Sequence, residues 1–100
     1  MIVEYIRYRI AESEGEEFEQ AYAKAATALD AAEECVDYDL SRCTEDRTAY
    51  TLRIRWTSAE AHLQGFRKGP HFPPFFAAVK PYVGAIEEMR HYEPTAVRSR

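Results

Sequence analysis

Residues 48–56 alternate Tyr50, Leu52, Ile54 and Trp56 with Thr51, Arg53 and Arg55. A period of two marks a strand whose successive side chains point to opposite faces of a sheet. Two further segments carry the same signal. Residues 2–10 are rich in β-branched and aromatic residues, and residues 35–43 set Val36, Tyr38 and Leu40 against Asp37, Asp39 and Ser41. Thr44-Glu45-Asp46-Arg47 is a short polar connection, so 35–43 and 48–56 are expected to be antiparallel neighbours. A last strand is expected at about 86–93.

Between the strands the period changes. Phe18, Tyr22, Ala25, Leu29 and Ala32 recur at helical spacing behind Ser13 and Glu16, which have the spacing of a capping box. The acidic run Glu12, Glu14, Glu16, Glu17 and Glu19 sits where the helix dipole favours negative charge and is read as a solvated helix start without chemistry. Thr57 and Glu60 repeat the capping spacing and open a short helix carrying His62 and Phe66, ended by Gly69-Pro70. Phe72, Phe75, Phe76 and Val79 then define another helix, with Pro73 and Pro74 tolerable in its first turn. The order β-α-β-β-α-β predicts an α+β, ferredoxin-like fold: a four-stranded antiparallel sheet with helices on one face. Residues 1–93 form this domain and 94–100 a loose tail.

Composition narrows the function. One hundred residues, 46% of them hydrophobic and 30% charged, make one globular domain, small enough to gain from a partner subunit. Thirteen Lys and Arg against seventeen Asp and Glu give a net charge of −4, which argues against a nucleic-acid partner. No apolar run is long enough for a membrane span, and Glu4, Arg7 and Arg9 interrupt the first ten residues, so neither membrane nor leader is expected and the cytoplasm is the expected location. Cys35 and Cys43 lie at the two ends of one strand, about 26 Å apart, and cannot pair with each other. His62, His71 and His91 lack i, i+4 spacing and an acidic companion in sequence, so no metal is expected.

The strand pattern also describes the second face of the sheet. Opposite the helices it places Val3, Tyr5, Arg7, Arg9, Asp37, Asp39, Arg53, Arg55, Glu88, Arg90 and Tyr92, while Glu4 falls on the inner side with Ile6. Arginines on two central strands would lie beside acids on both outer strands. Two readings fit, a solvated sheet face or a mixed polar interface with a second sheet. Val3, Tyr5 and Tyr92 among the arginines favour the interface, and with it a homodimer.

Arg-Trp-Thr-Ser-Ala-Glu-Ala-His at 55–62, Gly65-Phe66-Arg67, the Pro-x-Phe at 70–72 and the ending Glu87-Glu88-Met89-Arg90-His91-Tyr92-Glu93 resemble the antibiotic biosynthesis monooxygenase family. The resemblance covers residues 1–93 and implies a dimeric α/β barrel, in which two such sheets pack face to face. Relatives include cofactor-independent oxygenases of quinol-like compounds and haem-degrading enzymes. The chain is similar to the quinol-oxidising branch in Trp56, with His62 where that branch has a tyrosine and Leu52 where it has an asparagine. At the positions the haem-degrading branch uses, it carries Ile6 or Arg7, Phe66 and Phe76, which implies no haem.

This resemblance implies a monooxygenase that needs no cofactor and oxidises a small phenolic or quinol-like aromatic with dioxygen. Such a protein must hold a flat ring in a dry pocket and remove its phenolic proton. His62 is the candidate base, with an unperturbed pKa near neutrality, and Trp56 is its catalytic partner. Tyr50, Leu52, Phe66, Phe72 and Phe76 are candidate substrate-binding residues, with His91 a second imidazole candidate. His71 is expected on the surface or a lid, and the phenols of Tyr8 and Tyr38 are further candidates for the cavity. The alternatives are a non-catalytic dimeric barrel that binds a small hydrophobic ligand, and lactone isomerase-like proton transfer.

Overall fold

Each alternating segment forms a strand: β1 (Ile2–Arg9), β2 (Cys35–Arg42), β3 (Ala49–Trp56) and β4 (Ile86–Tyr92). The computed structural model, which describes residues 1–99, joins them in one antiparallel sheet of order β2-β3-β1-β4. Helices α1 (Gly15–Ala31) and α2 (Phe72–Val79) cover one face. Phe18, Tyr22, Ala25, Ala28 and Leu29 of α1 meet Ile6, Tyr8, Tyr50, Leu52, Ile54 and Trp56 of the two central strands in a single core. This is the expected ferredoxin-like α+β arrangement. Residues 93–99 contain no helix or strand, and no helix among the described residues is long and apolar enough to cross a membrane.

Local details depart from the sequence pattern. Ser13 does not cap α1. A 3-10 turn, Glu12–Glu14, closed by the Glu14 amide donating to the Ala11 carbonyl at 2.8 Å, satisfies the backbone instead, and α1 begins behind Glu14 without a side-chain cap. Ser58, not Thr57, caps the segment after β3, accepting from the Ala61 amide at 2.9 Å. A register shift between Cys35 and Asp37 turns Val36 outward, so Cys35 packs on the core in its place.

The segment after Ser58 is a π-helical turn, Ala61–Phe66, and not an α-helix. Its wide winding, with the Arg67 amide donating to the His62 carbonyl at 3.1 Å, buries both His62 and Phe66. Beyond it the chain folds back closely enough that a Cβ at Gly69 would lie 2.5 Å from the Gly65 carbonyl oxygen, so residue 69 has room only for glycine.

The outer face pairs its charges strand by strand. Arg55 forms a bidentate pair with Asp37, Arg53 lies 2.7 Å from Asp39, and Arg9 3.1 Å from Glu87. Tyr5 and Tyr92 meet edge to face, centroids 5.3 Å apart, beside Val3.

Candidate functional site

Three elements bring their polar residues to one end of the inner face. Glu4 of β1 stands directly opposite His91 of β4 and Ile54 of β3, and Trp56 ends β3 one inward position further on. The π-turn then folds His62 back onto Trp56, the rings stacked with centroids 4.4 Å apart and an interplanar angle of 10°. Trp56 Nε1 donates to Glu4 Oε1 at 3.1 Å. His62 Nδ1 and His91 Nε2 share a hydrogen bond of 2.8 Å. Glu4 and His62 are only 2% and 6% exposed, whereas the His91 side chain is 35% exposed.

Burial governs the electrostatics of this group. Removal from water raises the Glu4 carboxyl above the usual carboxylate range, against the opposing pull of the Trp56 hydrogen bond and the charges of His91 and Arg67. It lowers His62 to about 4, helped by His91 and Arg67. The sequence alone suggests an imidazole titrating near neutrality; in the fold His62 is neutral there and holds one lone pair. Its Nε2 lies 3.6 Å from Glu4 Oε1, too far for a hydrogen bond. With Nδ1 engaged by His91, Nε2 is the nitrogen free to meet an occupant.

Beside it lies a cavity of about 140 Å³. Its walls include Trp56, His62, Phe66, Phe72 and Phe76, as expected, together with Glu4, Arg67 and Phe75, and Val83 and Met89 stand half exposed at its edge. Three expected residues lie elsewhere. Tyr50 and Leu52 share the inner face with Trp56, but Tyr50 is six residues back along β3, about 20 Å away, and both line a separate groove with Tyr22, Tyr38 and Arg42. His91 is not on the cavity wall either: it backs His62 from the β4 side. His71 precedes α2 and lines a different pocket, with Gly65, Gly69 and Pro70. Tyr8 reaches the cavity but its hydroxyl is bonded to that of Tyr22, and the Tyr38 hydroxyl donates to Asp30 at 2.8 Å.

Glu4 is the member that sequence reasoning passed over. Its signal was present as a break in pattern, an acid at an inward position of β1. The histidines have no acidic companion along the chain, yet the fold supplies one by pairing β1 with β4, and one donor atom from each of Glu4, His62 and His91 lies within 4.8 Å of the other two. Two imidazoles and a carboxylate are a donor set able to hold a transition-metal ion.

Comparison with known proteins agrees with this architecture. The family model for antibiotic biosynthesis monooxygenase matches residues 1–78. YczJ of Bacillus subtilis strain 168, itself uncharacterised, is 26% identical over 93 residues, covering 93% of this chain and 98% of its own. A crystal structure from Bordetella bronchiseptica, described as an antibiotic biosynthesis monooxygenase, superposes with a TM-score of 0.75 at 23% identity, covering 94% of this chain and 96% of that one. SnoaB, a cofactor-independent oxygenase from Streptomyces nogalater, superposes in a mutant form with a TM-score of 0.69 at 21% identity, covering 98% and 94%. At these identities the two structures speak to the fold.

Proposed function

Since the chain belongs to the antibiotic biosynthesis monooxygenase family, we propose that it is a cofactor-independent monooxygenase acting on a small phenolic or quinol-like aromatic. The observation that carries this reading is the neutral His62 ring, stacked on Trp56 at the wall of an aromatic cavity with Nε2 unbonded. His62 Nε2 takes the phenolic proton as the ring passes an electron to dioxygen. An imidazole lowered to about 4 is too weak a base to form the phenolate beforehand, whereas a phenol that has given up an electron is acidic enough to release its proton to it. One oxygen atom enters the ring and the other leaves as water, with all four electrons coming from the substrate; a quinol becomes a hydroxyquinone. Phe66, Phe72 and Phe76 hold the ring and exclude water. The cavity volume of about 140 Å³ suits a single ring better than a fused polycycle.

The partner is a second copy of this chain, packed on the charged sheet face. Its arginines and acids already neutralise one another, which lowers the cost of desolvating them, and Val3, Tyr5 and Tyr92 add apolar area.

The test is oxygen uptake with a panel of hydroquinones. His62→Ala is expected to lower turnover by about 10²–10⁴-fold with the fold retained, and a substrate methylated at the phenol to be inert even when bound. Undiminished turnover in His62→Ala would remove it as the base. A second reading, isomerase-like proton transfer, is favoured by the His62–His91 contact, which gives a proton taken in the cavity a path to a half-exposed imidazole. It predicts substrate turnover without oxygen uptake.

A further inference from the structure

From the convergence of β1, the π-turn and β4 we infer that Glu4, His62 and His91 form a binding site for a divalent transition-metal ion of the zinc or cobalt type. The site does not rest on the oxygenase reading. In a tetrahedral shell with metal–nitrogen bonds of about 2.0–2.1 Å, neighbouring donors stand roughly 3.3 Å apart. His62 Nδ1 and His91 Nε2 are 2.8 Å apart, and His91 Nε2 and Glu4 Oε2 3.8 Å. Opening the imidazole contact by about half an ångström and drawing the Glu4 carboxylate inward, from donor separations that all lie within 4.8 Å, turns the contact between two imidazoles into a shared metal ion that replaces the proton now between them.

The surroundings support the donors. Trp56 Nε1 holds Glu4 Oε1, which leaves Oε2 facing His91, and the stacked indole fixes the plane of His62. These contacts orient ligands as outer-shell partners do in metal sites. His91 is the exposed member, so an ion reaches the site from the β4 side and three protein donors leave positions for water.

The charge nearby selects the metal. Arg67 lines the same cavity as Glu4 and His62, so a fixed cation shares the space beside the donors. It opposes a dication held by charge alone, so magnesium and calcium, which need several oxygen donors, are excluded. An ion that bonds strongly to imidazole overcomes it. Metal on Nδ1 leaves the His62 proton on Nε2, so the loaded protein has no lone pair for a phenol, and metal binding and substrate deprotonation exclude each other.

Tag-free protein dialysed against chelator is titrated with Co(II), followed by calorimetry and by visible absorption, with Zn(II) and Mg(II) as competitors. One ion per chain is expected, with a cobalt spectrum of low coordination number, displaced by zinc and not by magnesium. His91→Ala and Glu4→Gln are each expected to weaken binding by more than about 10-fold. Where Glu4→Gln fails to fold, His91→Ala, at a partly exposed position, decides. Absence of one-to-one binding, or unchanged affinity in His91→Ala, overturns the site. Neither result bears on oxygen uptake by the metal-free protein.

Discussion

The two ends of the sheet's inner face are built from the same materials, aromatic rings with polar tips, and put them to different uses. At the Tyr50 end the phenols have partners, Tyr8 with Tyr22 and Tyr50 with Glu19 at 2.5 Å, and Tyr38, level with Ile54 on the outer strand, bonds Asp30, while Arg42 Nη2 over the Tyr50 ring is buried without a partner. At the Trp56 end the polar groups bond one another only in part, and His62 Nε2 and Glu4 Oε2 have no hydrogen bond. The bonded phenols make structure, and the unpartnered atom beside them belongs to an arginine that stays charged. At the Trp56 end the unbonded groups are titratable and stand beside a cavity, and burial holds them away from their usual charge, which makes this end the candidate site.

Truncation at the Trp56 end should do the most damage. Trp56 is fully buried, carries the stacking surface of His62 and donates to Glu4, so Trp56→Ala is expected to cost about 3–5 kcal/mol in chemical denaturation. A loss below about 1 kcal/mol would show that this end is loosely packed and not held by its indole.

The tyrosine end should respond more mildly and without crosstalk. Tyr50→Phe keeps the ring and removes one hydroxyl partner, for an expected loss of about 0.5–1.5 kcal/mol, with the reactivity of His62 unchanged because Tyr50 lines the separate groove and not the His62 cavity. The same end sets the alkaline limit. Burial, the largest cause, pushes the Tyr8 phenol up to about 12 and the Tyr22 phenol higher still. Groups whose pKa is raised by folding stabilise the fold fully below their unfolded value, about 10 for tyrosine, and lose that contribution as pH rises through the folded value. Unfolding between pH 10 and about 12 should coincide with the phenolate absorbance of these tyrosines. Phenolate appearing well before unfolding would mean that the end is open to water.

The outer face offers the smallest effect on stability and a clear one on assembly. Arg53→Glu replaces a cation beside Asp37 and Asp39, and because the pairs are largely exposed the expected change in stability is within about 1 kcal/mol. Sedimentation should show a dimer for the parent chain and a shift to monomer for the variant, since the reversed charge meets the acids of a facing sheet. A monomeric parent at micromolar concentration would remove the second sheet from the account.

The layout of the chain was legible because periodicity is a local property. Alternation at 48–56 and helical spacing at 18–32 each report which side of an element is apolar, whatever the element later touches. That is why four strands, two long apolar faces and a charged second face follow from the residues alone, and why Trp56, His62, Phe66, Phe72 and Phe76 could be named before the fold was known. The same local view put Val36 inside, where a register shift turned it out, and gave Ser13 a capping role that a 3-10 turn made unnecessary. It also grouped Tyr50 and Leu52 with Trp56, since a shared face says nothing of distance along the strand.

Convergence is a different matter. Residues 4, 62 and 91 are brought together by strand register, which sets Glu4 opposite His91, and by a π-helical turn that folds His62 back over Trp56. Neither register nor winding is written in any one window of sequence. An acid at an inward strand position reads as a flaw in the pattern until the cross-strand neighbour is known. Burial then follows from packing, and with it the neutral state of His62 and the raised carboxyl of Glu4, because desolvation depends on every element that closes over a group and not on the residue itself.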